Sequence, residues 1–282
     1  MAHSDQTFTA ACVQMRSGLD RAQNTNDALA LIDEAARKGA NFIATPEMTN
    51  VVDRKASRLL ADLPDEAGLD EIRAFAGVAK EHGVWLLIGS LALSVAGGKA
   101  ANRSFLFSPE GAVAARYDKL HMFDVDLPGG ESWKESKIYE PGAEAMLVNA
   151  SLAKIGLTIC YDLRFPGLYR ALSQAGAQVL CVPAAFTRQT GEAHWETLLR
   201  ARAIENGAFV IAPAQGGRHE DGRETFGHSM IINPWGKVLA HANHDEPGVI
   251  LAEIDLSQAR EARERIPNLG LEQKFKISIV KQ

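Results

Sequence analysis

Apolar and polar positions follow two periods in the first half of this chain, one typical of strands and one typical of helices. Thr7 to Met15 is an apolar run typical of a buried strand. The apolar residues from Ala28 to Gly39 recur at helical spacing, and Asn24 or Thr25 is predicted to cap that helix. A strand at residues 41–47, a helix over Leu69 to His82 and a strand over Val84 to Ser90 complete a β-α-β-α-β order.

The second half repeats this order, which predicts a duplicated chain. Its elements are a strand over Lys154 to Ile159, a helix over Pro166 to Ala175, a strand over Gln178 to Val182, a helix over Ala193 to Asn206 and a strand over Phe209 to Ala212. Each half then carries a hairpin with a Pro-x-Gly turn, over Phe105 to Gly111 and over Met230 to Gly236.

Two similar α/β halves, each with an apolar sheet that needs cover on both faces, pack most simply sheet against sheet with helices outside. The predicted fold is therefore α/β, a four-layer αββα sandwich of two pseudo-repeated halves. No low-complexity linker separates them, so residues 1–282 are expected to form a single domain. Asp124 to Gly142 is predicted to be a long loop, and loops of that length are often functional.

Composition narrows the class of protein. The chain has 282 residues, 46% of them hydrophobic, which is ample for a sizeable core. Its net charge of −5 gives no basic field for nucleic acid. No secretory signal is visible in the first ten residues, and the most apolar window, Val84 to Ala96, is too short to span a bilayer. We expect a soluble, cytoplasmic protein.

The cysteine pattern argues against a disulfide framework and against a zinc site. Cys12, Cys160 and Cys181 are odd in number, far apart and without CxxC spacing. Cys12 and Cys181 lie inside predicted apolar strands and are interpreted as small buried hydrophobic residues. Cys160 differs, because it ends a strand where a helix is predicted to begin.

At such a turn the thiol projects from the chain. It lies next to backbone N–H groups that have no hydrogen-bond partner, because they are at the start of a helix. Glu47 ends its own strand after a proline, and Lys119 ends a hairpin strand over Ala112 to Tyr117, so both can face Cys160. An ammonium favours a thiolate and a carboxylate accepts its proton, so together they are expected to make Cys160 reactive at neutral pH.

In this order, these residues resemble the Glu-Lys-Cys triad of the nitrilase superfamily of carbon–nitrogen hydrolases. The resemblance covers nearly the whole chain. Within that superfamily, the motifs of this chain are similar to those of the Nit branch, which contains omega-amidases and amidases of deaminated glutathione. The motifs that carry it are Thr45-Pro46-Glu47, Tyr117-Asp118-Lys119-Leu120-His121, Lys134-Glu135-Ser136-Lys137, Cys160-Tyr161-Asp162-Leu163-Arg164, Arg200-Ala201-Arg202-Ala203-Ile204-Glu205 and Asn233-Pro234-Trp235-Gly236.

The resemblance implies a cofactor-independent amidase mechanism without a metal. Glu47 takes the thiol proton, Cys160 attacks the amide carbonyl, and Lys119 with the Tyr161 backbone N–H stabilises the oxyanion. Ammonia leaves, and water activated by Glu47 hydrolyses the thioester. Glu135 matches a second glutamate of the family and is expected to orient Lys119 or the substrate amide.

The expected substrate is a small carboxylate-bearing amide such as deaminated glutathione or α-ketoglutaramate. Arg164 has a planar fork that can bind both oxygens of a carboxylate, although it can equally pair with Asp162, Glu196 or Glu205. By resemblance, four further residues are expected to line the same pocket: Phe186, Thr187, Thr190 and His194. The resemblance also implies a homodimer or higher homo-oligomer.

Other functions remain open at this stage. The same triad serves N-carbamoyl amide hydrolases and nitrilases, and a catalytically idle scaffold or a redox-sensing thiol protein is an alternative of a different class. A Cys-His hydrolase or a metal site is a further alternative, because the chain contains His121, His194 and His228. Neither HxxxH nor HExxH spacing occurs, however.

Overall fold

The computed structural model describes residues 6–130 and 132–280. The helices are α1 (Arg21–Arg37), α2 (Ala56–Asp62), α3 (Asp70–His82), α4 (Pro166–Gln174), α5 (Arg188–Asn206) and α6 (Ser257–Arg265). The strands are β1 (Thr7–Gln14), β2 (Phe42–Ala44), β3 (Trp85–Val95), β4 (Lys99–Phe107), β5 (Val113–Asp118), β6 (Asp124–Asp126), β7 (Ser132–Lys134), β8 (Met146–Asn149), β9 (Lys154–Leu157), β10 (Val179–Cys181), β11 (Phe209–Ala212), β12 (Gly216–Arg218), β13 (Glu224–Phe226), β14 (Met230–Ile232), β15 (Val238–His241) and β16 (Gly248–Asp255).

Two six-stranded sheets form the centre of the molecule. Their strand orders are β16-β1-β2-β3-β4-β5 and β15-β14-β11-β10-β9-β8. In each sheet three parallel strands are followed by an antiparallel hairpin, and one further antiparallel strand closes the other side. The common order is what the pseudo-repeat of the sequence predicts.

The alternation of side chains along β1 shows which layer covers each face of the first sheet. Ala10 and Cys12 belong to the core shared with the second sheet, whereas Ala11 and Val13 pack with α1 and α3 residues such as Phe75. Successive side chains of a strand point to opposite faces, so the first sheet is covered by the second sheet on one side and by helices on the other. Residues of α4 and α5 pack against the second sheet. The four-layer αββα prediction is confirmed.

Two predicted helix starts are wrong. Helix α1 begins at Arg21, and Asp20 caps it by accepting the N–H groups of Ala22 and Gln23. The predicted cap Asn24 lies inside the first turn instead, where its amide binds Gly18 and the Asn50 carbonyl.

Helix α5 was expected to start at Ala193 but begins at Arg188. The Thr187 hydroxyl accepts the Thr190 N–H, as a threonine N-cap does.

The predicted loop over Asp124 to Gly142 contains more structure than expected. Strands β6 and β7 pair as a short hairpin, and Glu135–Lys137 form a 3-10 turn. The Ser136 N–H and hydroxyl both donate to Asp124, which ties the turn to the hairpin. Both Pro-x-Gly hairpins are present, as β4–β5 and β14–β15. Among the described residues, no helix is long and apolar enough to cross a membrane.

Candidate active site

Cys160 follows β9 and opens a 3-10 turn over Cys160–Arg164, which precedes α4. Its backbone φ is 49°, a left-handed value that a residue with a side chain seldom adopts. Its N–H donates to the Pro183 carbonyl oxygen (2.8 Å), just beyond the neighbouring strand β10. Such strained positions cluster at functional sites because the surrounding structure must hold them.

Asp162 ties this turn to the chain around Lys119. Its carboxylate is fully buried and accepts the Ile159 N–H (2.8 Å) and the Tyr117 hydroxyl (2.6 Å). It also accepts the His121 backbone N–H (3.1 Å). Tyr117 and His121 flank Lys119 by two residues on either side, so one carboxylate sets the Cys160 turn beside the Lys119 segment.

Glu47 lies in a tight turn that β3 holds in place. The Ser90 hydroxyl accepts the Met48 N–H (2.8 Å), and the Ser90 carbonyl accepts the Thr49 N–H (2.8 Å). Ser90 is available because β3 has a bulge between Ile88 and Leu91. Gly89 in this bulge lies so close to Thr45 and Pro183 that an added Cβ would collide with both. The sequence therefore folds Glu47 into the space between the two sheets.

The Glu47 carboxylate is 4% exposed and receives hydrogen bonds from both sheets. Its Oε1 accepts Asn102 Nδ2 (2.9 Å) from β4 and Lys119 Nζ (2.9 Å) from the end of β5. Its Oε2 accepts the Ala185 N–H (2.9 Å) from the segment after β10. The Cys160 thiol lies close enough to this carboxylate for each group to shift the pKa of the other.

Lys119 is buried between two carboxylates. Its Nζ lies 2.9 Å from Glu47 Oε1 and 2.8 Å from each carboxylate oxygen of Glu135. Glu135 is held in turn by the Phe123 N–H, which donates to Oε2 (2.6 Å). Three of the side chains predicted at the reaction centre, Glu47, Lys119 and Glu135, thus lie in one hydrogen-bonded group, and the fourth, Cys160, lines the same cavity.

Charge keeps Glu47 and Lys119 ionised in spite of their burial. Burial alone would raise the pKa of Glu47, but the Lys119 ammonium and the hydrogen bonds to the carboxylate outweigh it and lower the pKa from its ordinary value of 4.5. Burial alone would lower the pKa of Lys119, but Glu135 and Glu47 raise it well above 10.5.

The charge state of the Cys160 thiol depends on its burial and on Glu47. Burial raises its pKa well above 9.0, and the Glu47 carboxylate raises it further, while Lys119 only partly opposes them. The resting group is therefore a neutral thiol beside an ionised carboxylate. The thiolate has to form by transfer of the proton to Glu47 rather than by a lowered pKa.

These groups open into a cavity of about 300 Å³. Of the residues predicted to bind substrate, Phe186, Thr187 and Thr190 line it, as does Tyr161. Tyr161 is the second residue of its 3-10 turn, and the first N–H groups of such a turn have no partner within it.

Arg164 and His194 lie behind Phe186 and are not among the cavity-lining residues. Their side chains contact each other, with Arg164 Nη2 3.2 Å from His194 Nδ1. The Arg164 guanidinium also lies over the Phe186 ring, 5.6 Å from its centroid. Within the described residues, Arg164 contacts none of the carboxylates that the sequence offered as partners. It does not line the cavity directly either.

The sequence did not predict several residues of this site. Asn102 bridges Glu47 and Glu135, at 2.9 and 3.4 Å. Trp133, Tyr139 and Arg223 line the cavity. Trp133 stands two residues before Glu135, within the predicted loop, and this proximity was the one signal in the sequence that pointed to it.

The other two cysteines are fully buried in β1 and β10. Burial raises the pKa of both thiols, that of Cys181 and, more strongly, that of Cys12. No group of three or more histidine, cysteine, aspartate or glutamate side chains in the described ranges is arranged to hold a metal ion.

Comparison with known proteins gives consistent results. The family model for carbon-nitrogen hydrolases matches residues 9–264. A deaminated glutathione amidase from Synechocystis is 42% identical over 266 residues, which cover 93% of this chain and 97% of that protein. The NitFhit protein of C. elegans has a TM-score of 0.88 at 34% identity, over 96% of this chain and 66% of that one. Nit3 of Saccharomyces cerevisiae, a nitrilase superfamily member, shares the fold with a TM-score of 0.86 at 24% identity, over 97% and 98%.

Proposed function

The chain belongs to the carbon-nitrogen hydrolase family and is an amidase of the nitrilase superfamily, and from that premise we propose that it hydrolyses, through a thioester on Cys160, the amide bond that joins cysteinylglycine to the deaminated glutamyl unit of deaminated glutathione. The observation that carries the proposal is the buried Lys119, which contacts both Glu47 and Glu135 beside the Cys160 thiol. The relatives that carry the name deaminated glutathione amidase support the choice of substrate.

In the first half of the proposed reaction, Glu47 removes the thiol proton as sulfur attacks the amide carbonyl. The ionised Glu47 carboxylate lies beside the neutral thiol, which supports this direction of transfer. The Lys119 ammonium and the Tyr161 N–H then face the oxygen that gains charge, because both line the cavity next to the sulfur. Glu47 returns the proton to the departing nitrogen, and cysteinylglycine leaves.

In the second half, Glu47 is again ionised and accepts a proton from water that attacks the thioester. The lowered pKa of Glu47 favours its return to the ionised form. Glu135 holds Lys119 charged throughout, since its carboxylate is the largest favourable charge acting on the pKa of that ammonium. The products are the carboxylic acid and the free thiol.

The proposed substrate range follows from the cavity. Phe186, Thr187 and Thr190 provide an apolar and hydroxyl-bearing wall opposite the acidic and basic groups. A volume of about 300 Å³ is at the lower end of the range for small-molecule sites and is too small for a folded protein substrate.

The test measures cysteinylglycine release from deaminated glutathione and ammonia release from α-ketoglutaramate, side by side at matched concentrations, with Cys160→Ala as the blank. We expect the wild type to prefer deaminated glutathione and the Cys160→Ala protein to release nothing from either. A preference for α-ketoglutaramate would make the chain an omega-amidase. No release from either amide would overturn the substrate assignment and direct the search to carbamoyl amides and nitriles.

A homo-oligomer is also part of the proposal. The segment after Glu272 is exposed and has large apolar side chains at alternate positions, Phe275, Ile277 and Ile279. Alternation at every second residue is the pattern of a strand with one apolar face, and such a face needs cover. A second copy of this chain would supply that cover.

A further inference from the structure

The cavity contains a second group of charged side chains that the proposed reaction does not use. Arg54 and Arg223 line it together with Trp133. The Arg223 Cζ lies 4.5 Å from the centroid of the Trp133 ring, and the Arg54 Cζ lies 5.6 Å from it. A guanidinium that stacks on an indole uses its face, so its N–H edge stays available to an anion.

A buried aspartate fixes both arginines. The Asp221 side chain is fully buried, and its two oxygens accept the backbone N–H groups of Arg223 (2.9 Å) and Arg54 (2.8 Å). The Arg223 Nε lies 3.6 Å from Asp221 Oδ2, which is beyond a hydrogen bond. This Nε is buried and has no hydrogen-bond partner in the described part of the chain. A buried donor without a partner is unfavourable, and an anionic ligand in the cavity would relieve the local charge.

The aspartates beside the two arginines are already engaged. Asp53 is held at both oxygens by Arg58, at 2.6 and 2.8 Å. Arg54 and Arg223 share the carboxylate of Asp221. The Arg223 side chain is only 16% exposed, so its attraction for an anion is weakly screened by salt.

The position of the arginines along the cavity suits a remote carboxylate. Trp133 precedes Glu135 by two residues, a spacing of roughly 7 Å in an extended chain, and Glu135 contacts Lys119 at the reaction centre. α-Ketoglutaramate ends at its amide nitrogen. In deaminated glutathione that nitrogen belongs to cysteinylglycine, whose terminal carboxylate lies roughly 7 Å beyond the scissile amide in an extended chain.

The geometry points to a second anion subsite in which Arg223, assisted by Arg54, binds a carboxylate remote from the scissile amide. The substrate class that fits is an ω-amide extended by an arm of dipeptide length that ends in a carboxylate. This inference rests on the proposed function and deepens it, because it assigns the part of the site that distinguishes a long substrate from a short one. Asp221 is a positioning residue of this subsite.

The test compares deaminated glutathione with its glycine methyl ester, which lacks only the terminal charge. Binding is measured by calorimetry on the full-length Cys160→Ala protein, so it does not require turnover. We expect the acid to bind about tenfold or more tightly than the ester, the effect of one charge-assisted pair. Arg223→Gln should abolish that difference, whereas the matched control Arg218→Gln, an exposed arginine of the same β12–β13 hairpin, should keep it.

Equal binding of acid and ester, or an equal loss for both in Arg223→Gln, overturns the subsite. If Arg223→Gln does not fold by circular dichroism, the exposed Arg54→Gln decides, and an undiminished difference in that protein also overturns it. Cysteinylglycine release by the wild type is measured in parallel. Absence of release with a preserved difference between acid and ester refutes the proposed function and leaves the subsite standing.

Discussion

Glu47 combines two properties that usually exclude each other, since it is almost fully buried and its pKa is lowered. Burial disfavours an ionised carboxylate, and only the adjacent Lys119 ammonium with the hydrogen bonds from Asn102 and Ala185 reverses that effect. The carboxylate can therefore accept a proton from a thiol whose own pKa is raised. A base paired with a neutral thiol is the arrangement that this site supports.

The expected dependence of activity on pH follows from the directions of the pKa shifts in the site. Glu47 stays ionised until the pH falls below its ordinary pKa of 4.5, and Cys160 and Lys119 keep their protons up to at least pH 9.0 because both of their pKa values are raised. We expect kcat/KM for hydrolysis of the amide substrate to be flat from about pH 5 to about pH 9, with the acid limb below that range. Glu47→Gln should lower kcat by about 10²–10⁴-fold throughout. An acid limb near pH 6.5 would instead indicate a catalytic histidine.

Glu47, Lys119 and Cys160 were predictable as site residues from the sequence, because each is a chemically reactive type that stands at the predicted end of a strand. Asn102 could not be found in the same way. It lies in the middle of β4, where a polar residue is usually a solvated side chain, and its role depends on the register that sets it beside Glu47. The raised pKa of the Cys160 thiol could not be predicted either, because the sequence shows the neighbouring ammonium but not the depth of burial.

At the level of elements, the bulge in β3 sets the position of Glu47. Gly89 and Ser90 in this bulge hold the Glu47 turn through the Ser90 hydroxyl and carbonyl. The sequence predicted a strand over Val84 to Ser90 but could not predict the bulge, which depends on the close approach of Thr45 and Pro183 from two other segments. The prediction of the start of α1 failed for a similar reason, since Asn24 binds a neighbouring loop instead of capping the helix.

Gly89→Ala tests this element. The added methyl group would collide with the Thr45 carbonyl and Pro183, and moving either displaces the Glu47 turn. We expect a loss of about 1–3 kcal/mol in the free energy of unfolding, measured with urea, and a fall in kcat of at least tenfold. Gly77→Ala in α3 is the matched control, because no atom lies within 4 Å of its added Cβ. It should stabilise the protein by about 0.5–1 kcal/mol and leave kcat unchanged. Unchanged kcat in Gly89→Ala would show that the bulge does not position Glu47.

For the whole molecule, the pseudo-repeat explains how one chain builds a site between two sheets. Glu47 and Lys119 come from the first half, Cys160 comes from the second, and the carboxylate of Glu47 is hydrogen-bonded from both. The repeat was visible in the sequence because each half has the same order of apolar runs and the same hairpin turn. The register of one sheet on the other was not visible, because it depends on packing between residues far apart in the chain.

Removal of the residues after Glu272 should change the oligomeric state. Glu272 contacts Arg170 of α4, so the chain is held up to that point, while Phe275, Ile277 and Ile279 beyond it are exposed. We expect sedimentation velocity to show an oligomer for the full chain of 30.5 kDa and a monomer after truncation. Replacing Lys274 and Lys276 with glutamine is the control and should preserve the oligomer. A full chain that sediments as a monomer contradicts the proposed assembly.

In the proposed reaction Cys160 forms a thioester with the amide substrate, and trapping with hydroxylamine tests this step. Deaminated glutathione is turned over with and without hydroxylamine, and cysteinylglycine, acid and hydroxamate are measured for the wild type and for Cys160→Ala. We expect the wild type to divide its product between acid and hydroxamate at an unchanged or higher rate of cysteinylglycine release, and Cys160→Ala to match the buffer blank. Continued cysteinylglycine release by Cys160→Ala would contradict a thioester on Cys160.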